Sequence, residues 1–246
     1  MPSGIDPNHI ERDYRRLFSG GLAYFRVCEG QSDLCIGTNG KLDAPARAAL
    51  LTARSAIEAE IRMRPEFLTS FAPLTGRGEA MEPVSWMYTA AAKAGVGPMA
   101  AVAGAVAQSV GRALKARSAE VIVENGGDIY ILTHTERLVA LYAGDSPLSM
   151  KVAVRVPPGE WGVCTSAGRV GPSVSFGRAD AAMVLSKDAA LADAAATALG
   201  NLLHSSRDIS EALVRVMNID GVLGAVAVVG EKLGAAGDVQ LAPYQN

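Results

Sequence analysis

Aromatic residues are scarce in this sequence: they fill 5% of its 246 positions, although 49% of the positions are hydrophobic. The core must therefore be built from Ala, Val, Leu, Ile and Met, side chains that let helices and sheets approach closely. Cysteine is also rare. Cys28, Cys35 and Cys164 form an odd set without C-x-x-C spacing, which argues against a disulfide framework and against a zinc knuckle. The expected setting is a reducing cytoplasm. There is no excess of positive charge, since 23 Lys and Arg stand against 25 Asp and Glu for a net charge of -2. Nucleic acid and anionic membrane surfaces are consequently not expected partners. Long apolar runs are missing too: residues 94–107 and 222–229 fall short of the roughly 18 to 20 needed to cross a bilayer. Residues 1–16 are polar rather than basic and then apolar, so no signal peptide is expected.

What is present is a chain long enough to bury a substantial core in one large domain or two small ones. Residues 22–27 and 33–37 read as an opening hairpin around Glu29-Gly30-Gln31-Ser32. Asp43 is placed to cap a helix with Pro45 in its first turn, and Ala48, Leu51, Ala56, Ile57 and Ile61 suggest an apolar stripe. Pro65, Pro73, Gly76, Gly78 and Pro83 then predict an irregular connection over 64–83, either a pocket wall or a passive surface loop. Helices are predicted over 85–94 and 98–115, with Gly104 and Gly111 marking close packing against a sheet. Strands are predicted over 119–124, 129–133, 138–143, 151–156, 162–165 and 179–185. Helices over 188–203 and 209–217 follow, then strands over 222–229 and 239–241. Strands adjacent in sequence favour antiparallel pairing and an α+β class. The alanine-rich helices, one in each half, hint at an internal repeat.

Four segments could carry chemistry. Asn125-Gly126-Gly127-Asp128 joins two strands; it reads either as a tight hairpin or as bare backbone against which a planar or phosphorylated ligand can lie. Asp193 and Thr197 stand four apart on a predicted helix and share a face. They could offer hard oxygen to magnesium, or simply be an acidic residue early in a helix and a hydroxyl bonded to the backbone. The stretch Cys164-Thr165-Ser166-Ala167-Gly168 opens a glycine- and hydroxyl-rich segment that could wrap a phosphate. Gly95-Val96-Gly97-Pro98 opens a helix, a place where anions bind. His9, His134 and His204 show no metal-ligand spacing, and no P-loop or dinucleotide fingerprint is present.

Taken together, the ordered set Gly97-Pro98-Met99-Ala100-Ala101-Val102-Ala103-Gly104, Val123-Glu124-Asn125-Gly126-Gly127-Asp128-Ile129, Cys164-Thr165-Ser166-Ala167-Gly168 and Ala192-Asp193-Ala194-Ala195-Ala196-Thr197 resembles the ApbE-like superfamily. The likeness is to its uncharacterised bacterial and archaeal branch. The resemblance implies a T-fold spanning 1–246 as a single domain: two related α+β halves of antiparallel sheet backed by helices, meeting near residue 145, with a ligand pocket between them. It implies Asp193 and Thr197 as magnesium ligands, with a backbone carbonyl near Val102 as a third. Asn125, Gly126, Gly127, Asp128, Thr165, Ser166 and Gly168 become the expected ligand contacts. FAD or FMN and magnesium are the implied cofactors, and an acceptor protein the implied partner; whether the chain forms a homodimer is left open by the sequence. Two departures stand out: Ala103 occupies a position where the superfamily usually has lysine, and Pro172 lies nearest to an expected histidine. The function expected is binding of a nucleotide-like or phosphorylated small molecule. The alternatives are a divergent FAD-dependent FMN transferase and an accessory protein in anaerobic sulfur assimilation to homocysteine.

Overall fold

The computed structural model describes residues 21–76, 78, 80–167 and 177–244. The chain opens with β1 (Ala23–Glu29) and β2 (Ser32–Thr38), paired antiparallel from Ala23↔Thr38 to Glu29↔Ser32. Helix α1 (Asp43–Met63) follows and buries Ala46, Leu50, Ala53, Ile57 and Glu60. That face is rotated from the expected stripe: Ala48 and Leu51 are exposed. The difference arises because Glu60 belongs to the buried face, where its carboxylate accepts the Tyr88 hydroxyl hydrogen bond at 2.6 Å. Asp43 is the first helical residue and not a cap, since Leu42 holds the cap position without a side-chain bond. An acid there still suits the helix dipole.

The expected connection over 64–83 contains one short helix, α2 (Glu66–Thr69), and then leads into α3 (Val84–Ala94). Gly95, with φ +71, ends α3 in the left-handed region. A 3-10 turn (Pro98–Ala101) then enters α4 (Val102–Leu114), so the expected single helix over 98–115 is divided. Strands β3 (Val121–Asn125), β4 (Asp128–Thr133), β5 (Arg137–Ala140), β6 (Val152–Val156), β7 (Gly159–Ser166) and β8 (Ala181–Ser186) follow. The chain continues through α5 (Ala189–Leu202), α6 (Ile209–Met217), β9 (Val222–Val229), β10 (Lys232–Gly237) and β11 (Leu241–Pro243).

Eight strands form one antiparallel sheet in the order β1-β2-β3-β4-β7-β8-β9-β10, and β11-β6-β5 form a second, smaller one. Because successive side chains point to opposite faces, the large sheet divides its apolar residues between two cores. Val121, Val123, Tyr130, Cys164, Val184, Ala225 and Ala227 face the helices. Ile122, Ile129, Ile131, Val163, Met183, Leu185, Val226 and Val228 pack with Val139, Val154 and Val156 of the small sheet. The central strands are thus buried on both faces. This explains why β8 reads as an unbroken apolar run and not as an alternation.

The helical layer is held close by small residues. A Cβ on Gly111 would fall 2.1 Å from the Tyr130 ring of β4, the sheet contact expected at this position. Gly104 packs differently from expectation: a Cβ there would meet the Ala189 carbonyl oxygen at 2.2 Å, so it marks the crossing of α4 and α5. Among the described residues no single helix is long and apolar enough to cross a membrane.

Candidate functional site

The β3–β4 hairpin turns through Gly126 and Gly127, with φ of +72 and +104 and Asn125 paired to Asp128. Two consecutive positive φ values define the tight turn that favours Asn-Gly and Gly-Gly sequences. The hairpin reading of this segment therefore holds, and the turn is tied down on both sides. The Gly127 N–H donates to Glu124 Oε1 at 2.9 Å, and Asn125 Nδ2 donates to the Ala103 carbonyl of α4 at 3.1 Å.

Asp193 reaches the same place from α5. Its Oδ2 accepts the Gly104 N–H at 2.9 Å, and the Ala103 N–H also supports its charge. These are early amides of α4, which no carbonyl inside the helix can satisfy. Asp193 thus caps α4 from another helix, and Gln108 of α4 returns the arrangement by accepting the Ala189 N–H of α5 at 2.6 Å. Burial lifts the Asp193 carboxyl to about 7 against these two amides.

Asp128 is held well above the usual carboxylate range, first by burial and then by the neighbouring Asp193 charge, with Glu124 adding to it. The Cys164 thiol and the Thr165 N–H work in the opposite direction. Cys164 stands opposite Asp128 in the β4–β7 register and is fully buried. Its thiol lies 3.4 Å from the Ala189 carbonyl oxygen, and burial followed by Asp128 and Asp193 pushes it well up. A thiol so placed is a poor nucleophile.

The strand register sorts the expected ligand contacts. Asn125, Asp128 and Ser166 occupy the helix-facing side, Ser166 standing opposite Ala182 of that core. Thr165 stands opposite Met183 on the other face, so only its backbone reaches Asp128. Adjacent strand residues cannot both face one ligand through their side chains. Gly168 and Pro172 lie outside the described residues. Thr197 is half-buried one turn beyond Asp193 on α5. Among the described residues no three His, Cys, Asp or Glu side chains form a metal-binding group. Gln108, Glu124 and Cys164 were not among the expected contacts. The alternation of β7 could have placed Cys164; that of β3 sets Glu124 with Ile129 on the other face, from which it reaches the turn through the Gly127 N–H, and nothing local marks Gln108.

The connection before α3 bears on the site from outside. A Cβ at Gly97 would lie 1.7 Å from the Ser70 carbonyl oxygen, so the main chain after α2 rests directly on the entry to α4.

Curated relatives bear the description UPF0280 protein. One from Methanothrix thermoacetophila is 39% identical over 220 residues, 88% of this chain and 92% of its own length. Another from Methanocella arvoryzae is 42% identical over 187 residues, covering 75% and 76%. Among solved structures, the fold is similar to the apo flavinyl transferase ApbE of Pseudomonas stutzeri, with TM-score 0.55 and 14% identity over 90% of this chain and 95% of that one. It is also similar to the ApbE protein of Thermotoga maritima, with TM-score 0.54 and 14% identity over 87% and 96%. The α+β architecture of helices on an antiparallel sheet is therefore an ApbE-like fold. The profile of the family described as AbpE bacteria matches residues 15–236, and the chain belongs to that family.

Proposed function

We propose that this protein binds a phosphorylated, nucleotide-like small molecule of the flavin class where the β3–β4 hairpin meets the crossing of α4 and α5. The observation that carries this reading is the convergence of Asp193 with Asn125 and Asp128 on one face of the sheet. Glycine backbone at 126–127 admits a flat ligand without side-chain obstruction. Burial and the Asp193 charge raise the Asp128 carboxyl well above the usual carboxylate range, which favours the protonated form that can donate a hydrogen bond to a ligand. Ser166 adds a hydroxyl on the same face. Magnesium suits the donor set, because Asp128 and Asp193 are buried close enough for the charge of one to act on the other, a repulsion that a cation would relieve. Asp193 and Thr197 would hold the ion, which when bound would neutralise phosphate charge.

Calorimetric titration with FAD, FMN and ADP, with and without magnesium, tests the proposal. Binding of at least one of them is expected, with magnesium-dependent affinity reduced about tenfold in Asp193→Asn. No binding to any of the three would refute it.

A second reading is transfer of FMN to a threonine or serine of an acceptor protein. It draws support from the fold shared with a protein described as a flavinyl transferase. Ala103 in place of the superfamily's lysine weighs against it. Incubation with FAD, magnesium and a threonine-bearing acceptor under anaerobic conditions decides it: a flavin-labelled acceptor is the positive result, and an unlabelled one across several acceptors removes it. Thiol chemistry in sulfur assimilation draws no support from Cys164, which is buried and held protonated.

A further inference from the structure

The large sheet has two outer strands, and they are finished differently. On β1, Arg26 pairs with Asp33 at 2.6 Å, and Glu29 pairs with Arg47 at 3.0 Å. Charges of this kind discourage an edge strand from pairing with another chain. The other edge, β10, reads Lys-Leu-Gly-Ala-Ala-Gly and has no proline and no charge after its first residue.

The β9–β10 hairpin determines which β10 amides are free. Val229 and Lys232 flank the two-residue turn Gly230–Glu231 and are the hydrogen-bonded pair that closes such a turn. Bonding then alternates, so residues 232, 234 and 236 bond to β9. The Asp238 N–H donating to the Leu223 carbonyl at 2.8 Å keeps the same parity. Leu233 and Ala235 therefore turn their N–H and C=O groups away from the sheet, and Gly237 turns its N–H outward while its carbonyl accepts the Val239 N–H at 2.8 Å.

We propose that β10 is a self-association edge, where two copies of this chain pair antiparallel about a twofold axis at Ala235. Parity permits only odd residues to pair with odd ones across this edge. Centring on Ala235 uses every outward residue: Leu233 meets Gly237 of the second copy, Ala235 meets Ala235, and Gly237 meets Leu233. The same register sets Lys232 opposite Asp238 of the second copy, twice over. Both are exposed, and neither makes an ion pair with another described residue. Beside the strand, α6 and β10 bound a groove of about 500 Å³ lined by Ile209, Leu213, Val214 and Gly234. Val214 is 63% exposed there. A twofold axis normal to the sheet places both α6 helices on one face, so the second copy covers this apolar flank. One closed isologous contact results, with no free β10 edge remaining.

Size-exclusion chromatography with light scattering on the full chain, up to the high micromolar range, should give twice the 25.5 kDa chain mass. Ala235→Pro should give the single-chain mass with an unchanged circular dichroism spectrum, because among the described residues the Ala235 N–H serves no bond to β9. Lys232→Asp should weaken the dimer several-fold, and adding Asp238→Lys should restore it. These two keep the test open if the proline variant fails to fold. A wild-type monomer throughout the range would overturn the proposal, as would dimers of Ala235→Pro and Lys232→Asp as tight as wild type.

Discussion

Asp193 illustrates how a single side chain can serve the fold and a ligand together. Its carboxylate satisfies early amides of α4, yet burial disfavours its charge. Replacing it by Ala strands at least one buried N–H, which costs about 1–3 kcal/mol for each unsatisfied group. Asp193→Asn keeps an acceptor and removes the buried charge. Urea unfolding at neutral pH should therefore place Asn within about 1 kcal/mol of wild type and Ala well below it. Equal losses in both would mean that the charge, not the acceptor, holds α4. At Gly127 the constraint is conformational: φ is +104, and a Cβ would meet the Thr165 carbonyl oxygen only at 3.6 Å. Gly127→Ala should thus cost about 1–2 kcal/mol through backbone strain alone, measurable by the same unfolding experiment. Residue chemistry of this kind was partly legible beforehand. Asn-Gly-Gly-Asp announces its turn because only a few residue types tolerate positive φ. The cap formed by Asp193 was not legible, because its partner Gly104 lies 89 residues away in the chain.

Among the elements, the crossing of α4 and α5 depends on the absence of a side chain. Glycine inside a helix ordinarily costs about 1 kcal/mol relative to Ala. At Gly104 the sign reverses: a Cβ would lie 2.2 Å from the Ala189 carbonyl oxygen and 2.8 Å from Asp193 Cβ, and backbone cannot yield. Gly104→Ala should lose about 1–3 kcal/mol in thermal or urea unfolding; a gain would show that the helices can separate freely. A different tie joins the start of β3 to β5. Glu120 accepts from the Thr133 hydroxyl at 2.7 Å, from the His134 N–H at 2.9 Å and from Arg137 at 2.7 Å. Partial burial works to raise its carboxyl, but these donors outweigh it and the net shift is downward. A carboxyl lowered on folding adds stability above its unfolded value, near 4.5, and loses it as pH falls through the folded one. Glu120→Gln should accordingly cost about 1–2 kcal/mol at pH 7. The gap from wild type should close on acidification below the carboxylate range, as followed by urea midpoints.

Across the whole molecule, two strands, a set of helices and two more strands occur in that order before β5 and again after β6. The two four-stranded blocks join edge to edge at β4 and β7. We propose that these blocks are the two related halves, with their junction inside the β5–β6 insertion. The candidate site lies close to the seam, with Asp128 on β4 opposite Cys164 on β7. β10 escaped sequence reading because Gly and Ala carry little strand propensity; pairing with β9 along its full length makes it a strand.

The sequence alone determined the element types of the strongly patterned segments, the glycine hairpin and the family. Each depends on local preferences that neighbouring residues already express. Which residues share the site was decided only by the tertiary structure. Register put Thr165 on the far face and Cys164 on the near one, and the helix crossing brought Asp193 to the amides of α4. Those choices come from pairing and packing between distant segments, whose energies no local stretch of sequence contains.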